Sequence, residues 1–339
     1  MPLNRRVALL FPGQGAQQPR MAAGLYGSDE VFTAVMDEAF TCLGRQGPAV
    51  RAAWLADTPS PLFDDVTVAQ PLLYAVGCAL GRTVLALGVE PAALLGHSVG
   101  ELVAATLADV LDFADGMALM RDRVVQYAET PPGGMLAVAA SVAQLAPFLP
   151  DSGPWVAAVN APQQTLVAGT DAQLATLSHE LRAVDITCMP ARARQAFHSP
   201  VVAEAAARSR PAWRAVRLRA PRIRIYSVHD KAVLTGRRAR DPEFWAMQPT
   251  TTVHFWPMLD RMLRDEDLLV VEAGPGQGLS ALARRHPAVA RGRSEVLPLS
   301  PPRPSGPEAD RTALRRAVER IAAEAGGPLN RPEWSAAAD

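Results

Sequence analysis

A serine set between two glycines, Gly96-His97-Ser98-Val99-Gly100, is the first feature of this sequence that could do covalent chemistry. The pattern is G-x-S-x-G. It stands between a short apolar run, Ala92-Ala93-Leu94-Leu95, and a helical pattern that resumes at Glu101. In that setting the glycines allow a tight, strained turn that pushes the serine oxygen outward. The new helix aims its N–H groups and positive dipole end at the same point. A hydroxyl becomes a nucleophile only with a base beside it, and the chain has six histidines. His97 adjoins Ser98 but should point away from it across the turn. His179 stands on a polar helix face, His286 follows a helix end, and His254 suits a structural place as well as any other. His198 and His229 both follow strand patterns in loops, and the pattern does not separate them.

The elements that must hold these residues read as α/β. Residues 7–11 form an apolar run stopped by Pro12-Gly13, which suits a strand buried on both faces. Helical patterns cover about 28–43, 67–87 and, with a break near Asp112, 101–128. Pro131-Pro132-Gly133-Gly134 then punctuates the chain, and the order changes beyond it. Strand patterns at 135–140, 155–160, 165–169 and 186–189 enclose helices at 142–149 and 171–183. That β-α-β-β-α-β order is the split, ferredoxin-like unit. After about 200 the α/β pattern returns, with strands at 223–228 and 268–272 and a helix at 277–285. The small unit, 132–199, is therefore expected as an insertion in a large one made of 1–131 and 200–300. From Pro301 a proline-rich linker should lead to an amphipathic helix near 310–324 and a fraying tail, completing 301–339.

Bulk composition narrows the function. The 339 residues are 49% hydrophobic and 20% charged, enough for a sizeable core. Lys+Arg and Asp+Glu each total 34, so the net charge is zero. That argues against a bulk nucleic-acid or anionic-membrane binder. Three cysteines, Cys42, Cys78 and Cys188, stand too far apart for a metal site or a disulfide framework, which suits a reducing cytoplasm. No apolar run reaches the length of a signal sequence or a membrane span, so a soluble, cytoplasmic protein is expected.

Several stretches taken together resemble the malonyl-CoA:acyl carrier protein transacylases and polyketide-synthase acyltransferase domains. They are Leu10-Phe11-Pro12-Gly13-Gln14-Gly15-Ala16-Gln17, the elbow with Glu101 after it, and Val159-Asn160-Ala161-Pro162-Gln163-Gln164. Ala196-Phe197-His198-Ser199-Pro200 and Glu272-Ala273-Gly274-Pro275-Gly276 complete the set. The similarity covers about residues 5–300, in the family's order. It implies an α/β-hydrolase-like large subdomain with an inserted ferredoxin-like small subdomain. It also implies His198 as the base for Ser98, held by a backbone carbonyl near Gln248 rather than by a carboxylate, with His229 structural. By the same resemblance Gln14 and the Val99 N–H form the oxyanion hole, and Asn160, Phe197 and Gln248 line the acyl site. The family binds the free carboxylate of malonate with an arginine on the helix after the elbow. Arg121 and Arg123 both qualify by position, and the helical stripe does not decide between them. Family spacing favours Arg123, 25 residues after Ser98. A guanidinium suits the task because its planar fork grips a carboxylate bidentately and stays charged when desolvated. Val99 and Phe197 resemble the malonyl-selective pattern, since a ring at 197 fills the space of an α-methyl branch. Gln195, Arg20 and the run Val124-Val125-Gln126 depart from the family and leave unusual acyl units in play.

The resemblance implies ping-pong transfer of a malonyl-type group from CoA to the phosphopantetheine thiol of an acyl carrier protein, with no metal and no bound cofactor. Carrier proteins are generally acidic, so Arg182, Arg192 and Arg194 are candidates for a docking surface. Three rivals remain: transfer of another acyl group between carriers, an editing acyl-carrier hydrolase, and a silent carrier-binding scaffold. A carboxylate clamp disfavours the hydrolase, and intact Ser98, His198 and Gln14 disfavour the scaffold. A single chain of this length suggests a fatty-acid enzyme or a polyketide acyltransferase acting in trans, with a monomer expected.

Overall fold

The computed structural model describes residues 5–58, 63–325 and 329; the tail expected to fray lies almost wholly outside them. The chain opens with β1 (Arg6–Phe11), α1 (Glu30–Cys42), α2 (Val66–Ala86), β2 (Ala93–Gly96), α3 (Val99–Leu107) and α4 (Phe113–Tyr127). The middle carries β3 (Gly133–Val138), β4 (Trp155–Ala161), β5 (Gln164–Thr170), α5 (Asp171–Ala183) and β6 (Cys188–Pro190). There follow β7 (Tyr226–Ser227), β8 (Ala232–Val233), α6 (Phe255–Asp265), β9 (Leu268–Glu272), α7 (Gly278–Ala283), β10 (Glu295–Pro298) and α8 (Pro307–Ala325).

The large subdomain is built on a parallel sheet in the order β10-β9-β1-β2. Its inner strands β1 and β9 carry continuous apolar runs, Val7–Phe11 and Leu268–Val271, because helices cover both faces. In β1, Val7, Leu9 and Phe11 enter the core shared with α1, α2 and α3, while Ala8 and Leu10 enter the core shared with α6 and α7. β9 divides the same way, Leu269 and Val271 on one side, Leu268 and Val270 on the other. The register sets Phe11 beside Gly96, so the loop bearing Gln14 and the turn bearing Ser98 leave the sheet together. Open α/β sheets place their sites at these carboxyl ends. α2 is the one helix, among the described residues, long and apolar enough to cross a membrane. It lies in the protein core, with 83% of its apolar window buried.

The small subdomain is an antiparallel sheet, β4-β5-β3-β6, which is the ferredoxin-like order. Its two helical segments start at reciprocal capping boxes, Ser141 with Gln144 and Thr170 with Gln173. One face packs Leu136, Val138 and Val167 against Leu145, Leu177 and Leu181. The other turns Met135, Ala157 and Ala168 toward Tyr127, Phe197 and Val202, forming the seam between the subdomains. Residue 253 stitches that seam: Val159 N–H donates to Val253 O, and Val253 N–H to Ala157 O, each at 2.8 Å.

Some elements differ from expectation. The strand expected at 223–228 shortens to Tyr226–Ser227, with Ile225 making one parallel bridge to Leu94. The helix at 142–149 is α-helical only over Val142–Leu145, because Pro147 lacks the N–H to continue it and the chain tightens into a 3₁₀ turn. The helix at 277–285 spans only Gly278–Ala283. The stretch after Pro301 is pinned to the body of the protein. Pro302 O accepts from Gln18, the Asp310 carboxylate accepts from Gly24 N–H, and α8 starts at Pro307.

Candidate active site

The nucleophile turn is set by close packing of backbone on backbone. A Cβ on Gly96 would lie 2.1 Å from the Gly100 carbonyl carbon, and one on Gly100 would lie 2.1 Å from Phe11 O. No side chain fits either position, so the turn can approach β1 closely and Ser98 takes φ 55°, ψ −117°. A non-glycine residue seldom adopts a positive φ, and the cost is held by the surrounding structure. His97 N–H donates to Phe11 O at 2.8 Å, which locks the turn to the sheet. Val99 opens α3, where a helix leaves its first N–H groups without intrahelical partners.

Ser98 Oγ lies 2.7 Å from His198 Nε2. The opposite ring nitrogen, Nδ1, is 2.9 Å from Thr251 O, and a carbonyl only accepts, so Nδ1 carries the proton. Nε2 is then a lone pair facing the serine hydroxyl, the tautomer a general base needs. His198 also sits at φ 63°, with its own N–H donating to Pro249 O at 2.5 Å. The orienting carbonyl therefore belongs to Thr251, three residues beyond Gln248. Burial holds His198 well below the ordinary histidine range, so the ring is neutral at neutral pH.

A buried guanidinium stands beside this pair. Arg123 is 6% exposed and forms no ion pair among the described residues. It donates to Gln70 Oε1 at 3.3 Å and to Gln248 Oε1 at 3.4 Å. Gln248 in turn donates to Ser98 O at 2.9 Å, and Gln70 to Gln14 Oε1 at 2.9 Å. Two amides thus join the guanidinium to the serine turn and to the Gln14 loop. Among the described residues Gln14 Nε2 is buried with no partner, a donor available to an oxygen arriving there. Arg121 faces outward and reaches only Cys42 O, at 3.4 Å. A buried arginine with no carboxylate of its own can receive one from a ligand.

The remaining predicted residues divide. Phe197 is buried against Tyr127, ring centroids 5.1 Å apart, with the His198 ring centroid 6.5 Å away. Asn160 meets His97 instead of the Arg123 cluster: its Oδ1 accepts from His97 Nε2 at 2.9 Å, turning that ring away from Ser98. His179 is exposed, and His286 binds Asp260. Arg182 and Arg194 border one groove on the small sheet, while Arg192 borders another with Arg284 beside Gln17. Sequence reasoning passed over Gln70, Tyr127, Glu101 and the contact of His229 with the site. Gln70 offered one signal, a lone amide before Pro71 in an otherwise apolar helix start.

The chain is similar to known proteins in sequence and in fold. Residues 8–296 match the family described as acyl transferase domain. The chain is 32% identical over 286 residues to one component of the phenolphthiocerol/phthiocerol polyketide synthase of Mycobacterium tuberculosis, covering 84% of this chain and 19% of that protein. It is also 32% identical over 300 residues to the spectinabilin polyketide synthase system protein NorA' of Streptomyces orinoci, covering 86% and 8%. The chain thus spans a fifth or less of the length of these relatives. Among solved structures, the acyltransferase domain of SpnD in complex with 2-(pent-4-yn-1-yl)malonyl superposes with TM-score 0.86 at 28% identity, covering 95% of this chain and 77% of that one. The acyl-carrier-protein S-malonyltransferase of Burkholderia pseudomallei shares the fold at TM-score 0.78 and 23% identity, covering 93% and 99%.

Proposed function

We propose, from the premise that this chain belongs to the acyl transferase domain family, that it moves a malonyl-type acyl group from CoA to the phosphopantetheine thiol of an acyl carrier protein. The observation that carries this reading is the Ser98–His198 pair at 2.7 Å, joined through Gln248 to a buried arginine that has no carboxylate partner among the described residues. Domains of this family work on thioesters without a bound cofactor.

In the first half-reaction the free carboxylate of the acyl group sits on Arg123, and the thioester carbonyl oxygen takes hydrogen bonds from Gln14 Nε2 and Val99 N–H. Ser98 Oγ gives its proton to His198 Nε2 as it bonds to the carbonyl carbon. The carbon–sulfur bond breaks, and the CoA thiolate recovers that proton. In the second half-reaction the carrier thiol gives its proton to His198 and attacks the serine ester. The ester carbon–oxygen bond breaks, and Ser98 takes the proton back. Phe197 occupies the space an α-methyl branch would need, so malonate is preferred over methylmalonate by about 1–3 kcal/mol. Arg182, Arg192 and Arg194 are the basic residues offered to an acidic carrier. We take the protein to be cytoplasmic and monomeric. We place the subdomain boundaries at 1–131 with 200–300 and at 132–199, since β3 begins at Gly133 and β6 ends at Pro190.

Incubation with malonyl-CoA and a holo carrier protein tests the proposal. A malonyl mass increment on the carrier, absent with Ser98→Ala, is the expected result. Release of free malonate with no loaded carrier would make the protein a hydrolase instead.

A further inference from the structure

The base lacks a carboxylate of its own, yet a carboxylate lies one ring away. His229, on the loop after β7, stacks on His198 with centroids 5.5 Å apart and planes 28° apart. Its Nδ1 is bonded to Oε2 of Glu101, in the first turn of α3. The His229 side chain is 2% exposed and the Glu101 side chain 0%. Glu101 Oε1 and His229 Nε2 have no partner among the described residues. Burying two such groups is costly, and nothing in the packing of the large sheet requires them there.

The bonding points to a charge state. A cationic His229 would leave an Nε2–H donor buried and unmatched, and would also repel a proton on its neighbour. A neutral ring donating Nδ1–H to a Glu101 carboxylate leaves only a bare lone pair unmatched, the lesser cost. The pair then carries one negative charge and presents its ring face to His198. The other ionisable groups near His198 are His97 after β2 and Arg123 on α4. His254 lies near His229, and Asp230 and Lys231 follow it in the chain, with the Asp230 carboxylate paired to Arg238. Among these described groups, Glu101 is the one carboxylate without an arginine partner.

We infer that Glu101 and His229 form a buried carboxylate–imidazole pair that stabilises the imidazolium His198 becomes when it takes the Ser98 proton, acting by stacking where a triad carboxylate would hydrogen-bond. His229 and Glu101 are positioning residues, since neither touches the reacting atoms. The inference rests on the acyl-serine reading above.

The test is the pH dependence of Ser98 acylation by malonyl-CoA, followed by rapid quench and intact mass, in wild type, Glu101→Gln, Glu101→Asp and His229→Phe. Gln keeps an acceptor for Nδ1–H and removes the charge. Phe keeps the stacked ring and removes the imidazole that couples the carboxylate to His198. Loss of negative charge makes a proton on His198 less favourable. The acid limb should therefore move to lower pH by about one unit, with the plateau rate about tenfold lower, and Asp should restore both. Either folded variant reports the shift, so misfolding of one leaves the other. An acid limb unmoved in the folded variants, whatever the plateau does, would reduce the pair to a structural role and overturn the inference. Absence of any acyl adduct on the wild type would instead overturn the acyl-serine reading.

Discussion

Two regions bury charge in this protein, and they treat it in opposite ways. Where β1, β10 and α8 meet, Arg5 and Arg320 enclose Glu324 and Glu295, and the Glu324 carboxylate takes hydrogen bonds from both arginines and from Arg5 N–H. Burial pushes the Glu324 carboxyl up, but those bonds outweigh it and bring it down to about 2. Around Ser98 the same kinds of group are left incomplete. Gln14 Nε2, Glu101 Oε1, Tyr127 OH, Gln195 Oε1 and His229 Nε2 are buried without partners among the described residues, and Arg123 has amides where a carboxylate could bind. A structural charge cluster closes on itself, because each unmatched group costs stability. A binding site leaves room for the partner it awaits.

The sharpest way to break this contrast is Arg123→Ala. Acylation by malonyl-CoA should fall about a hundredfold or more, the equivalent of about 3 kcal/mol for a lost buried carboxylate contact. Acetyl-CoA, which has no carboxylate to place, should be far less affected; comparing kcat/KM for the two esters checks it. The counterpart is Glu324→Gln, which leaves Arg5 and Arg320 to share Glu295 alone and should lower stability by about 1–3 kcal/mol in urea titration while leaving kcat/KM unchanged. The pH responses should also separate. Glu324's folded pKa is depressed, so its stabilisation is complete above the ordinary carboxylate range and fades only as pH falls toward about 2. His198's folded pKa is likewise depressed, by burial, so the base stays neutral and activity should persist below about pH 6.5, where an ordinary histidine protonates. Profiles of kcat/KM and of melting temperature against pH would show the two limits. The smallest effect expected is specificity. Phe197→Ser should raise the methylmalonyl-to-malonyl rate ratio by about tenfold, read in competition between the two CoA esters.

Much of this was legible in the chain. The continuous apolar runs of β1 and β9 announced a sheet covered on both faces, and the two-glycine elbow announced its turn, because both follow from local sterics and period. The two-residue β7 was not legible, since Ile225 and Val228 are as buried as strand residues yet lie outside it, Ile225 bridging to Leu94 and Val228 O accepting from His254 N–H. At the site, the position of Arg123 could be guessed from spacing, yet its burial, and the outward turn of Arg121, depend on how α4 packs. Glu101 and His229 stand 128 residues apart, and no local pattern links them. A glutamate in a helix's first turn reads as an ordinary dipole partner until its burial is seen.

Everything proposed for this site turns on Ser98 carrying a carboxylated acyl group. The direct measurement is intact-protein mass spectrometry after brief exposure to malonyl-CoA, methylmalonyl-CoA and acetyl-CoA, beside Ser98→Ala. A malonyl adduct is expected on the wild type alone, removed when a holo carrier protein is added. No adduct from any CoA ester, with one appearing from an acyl-carrier substrate, would contradict the malonyl-CoA reading and leave a carrier-to-carrier transferase or a hydrolase in its place.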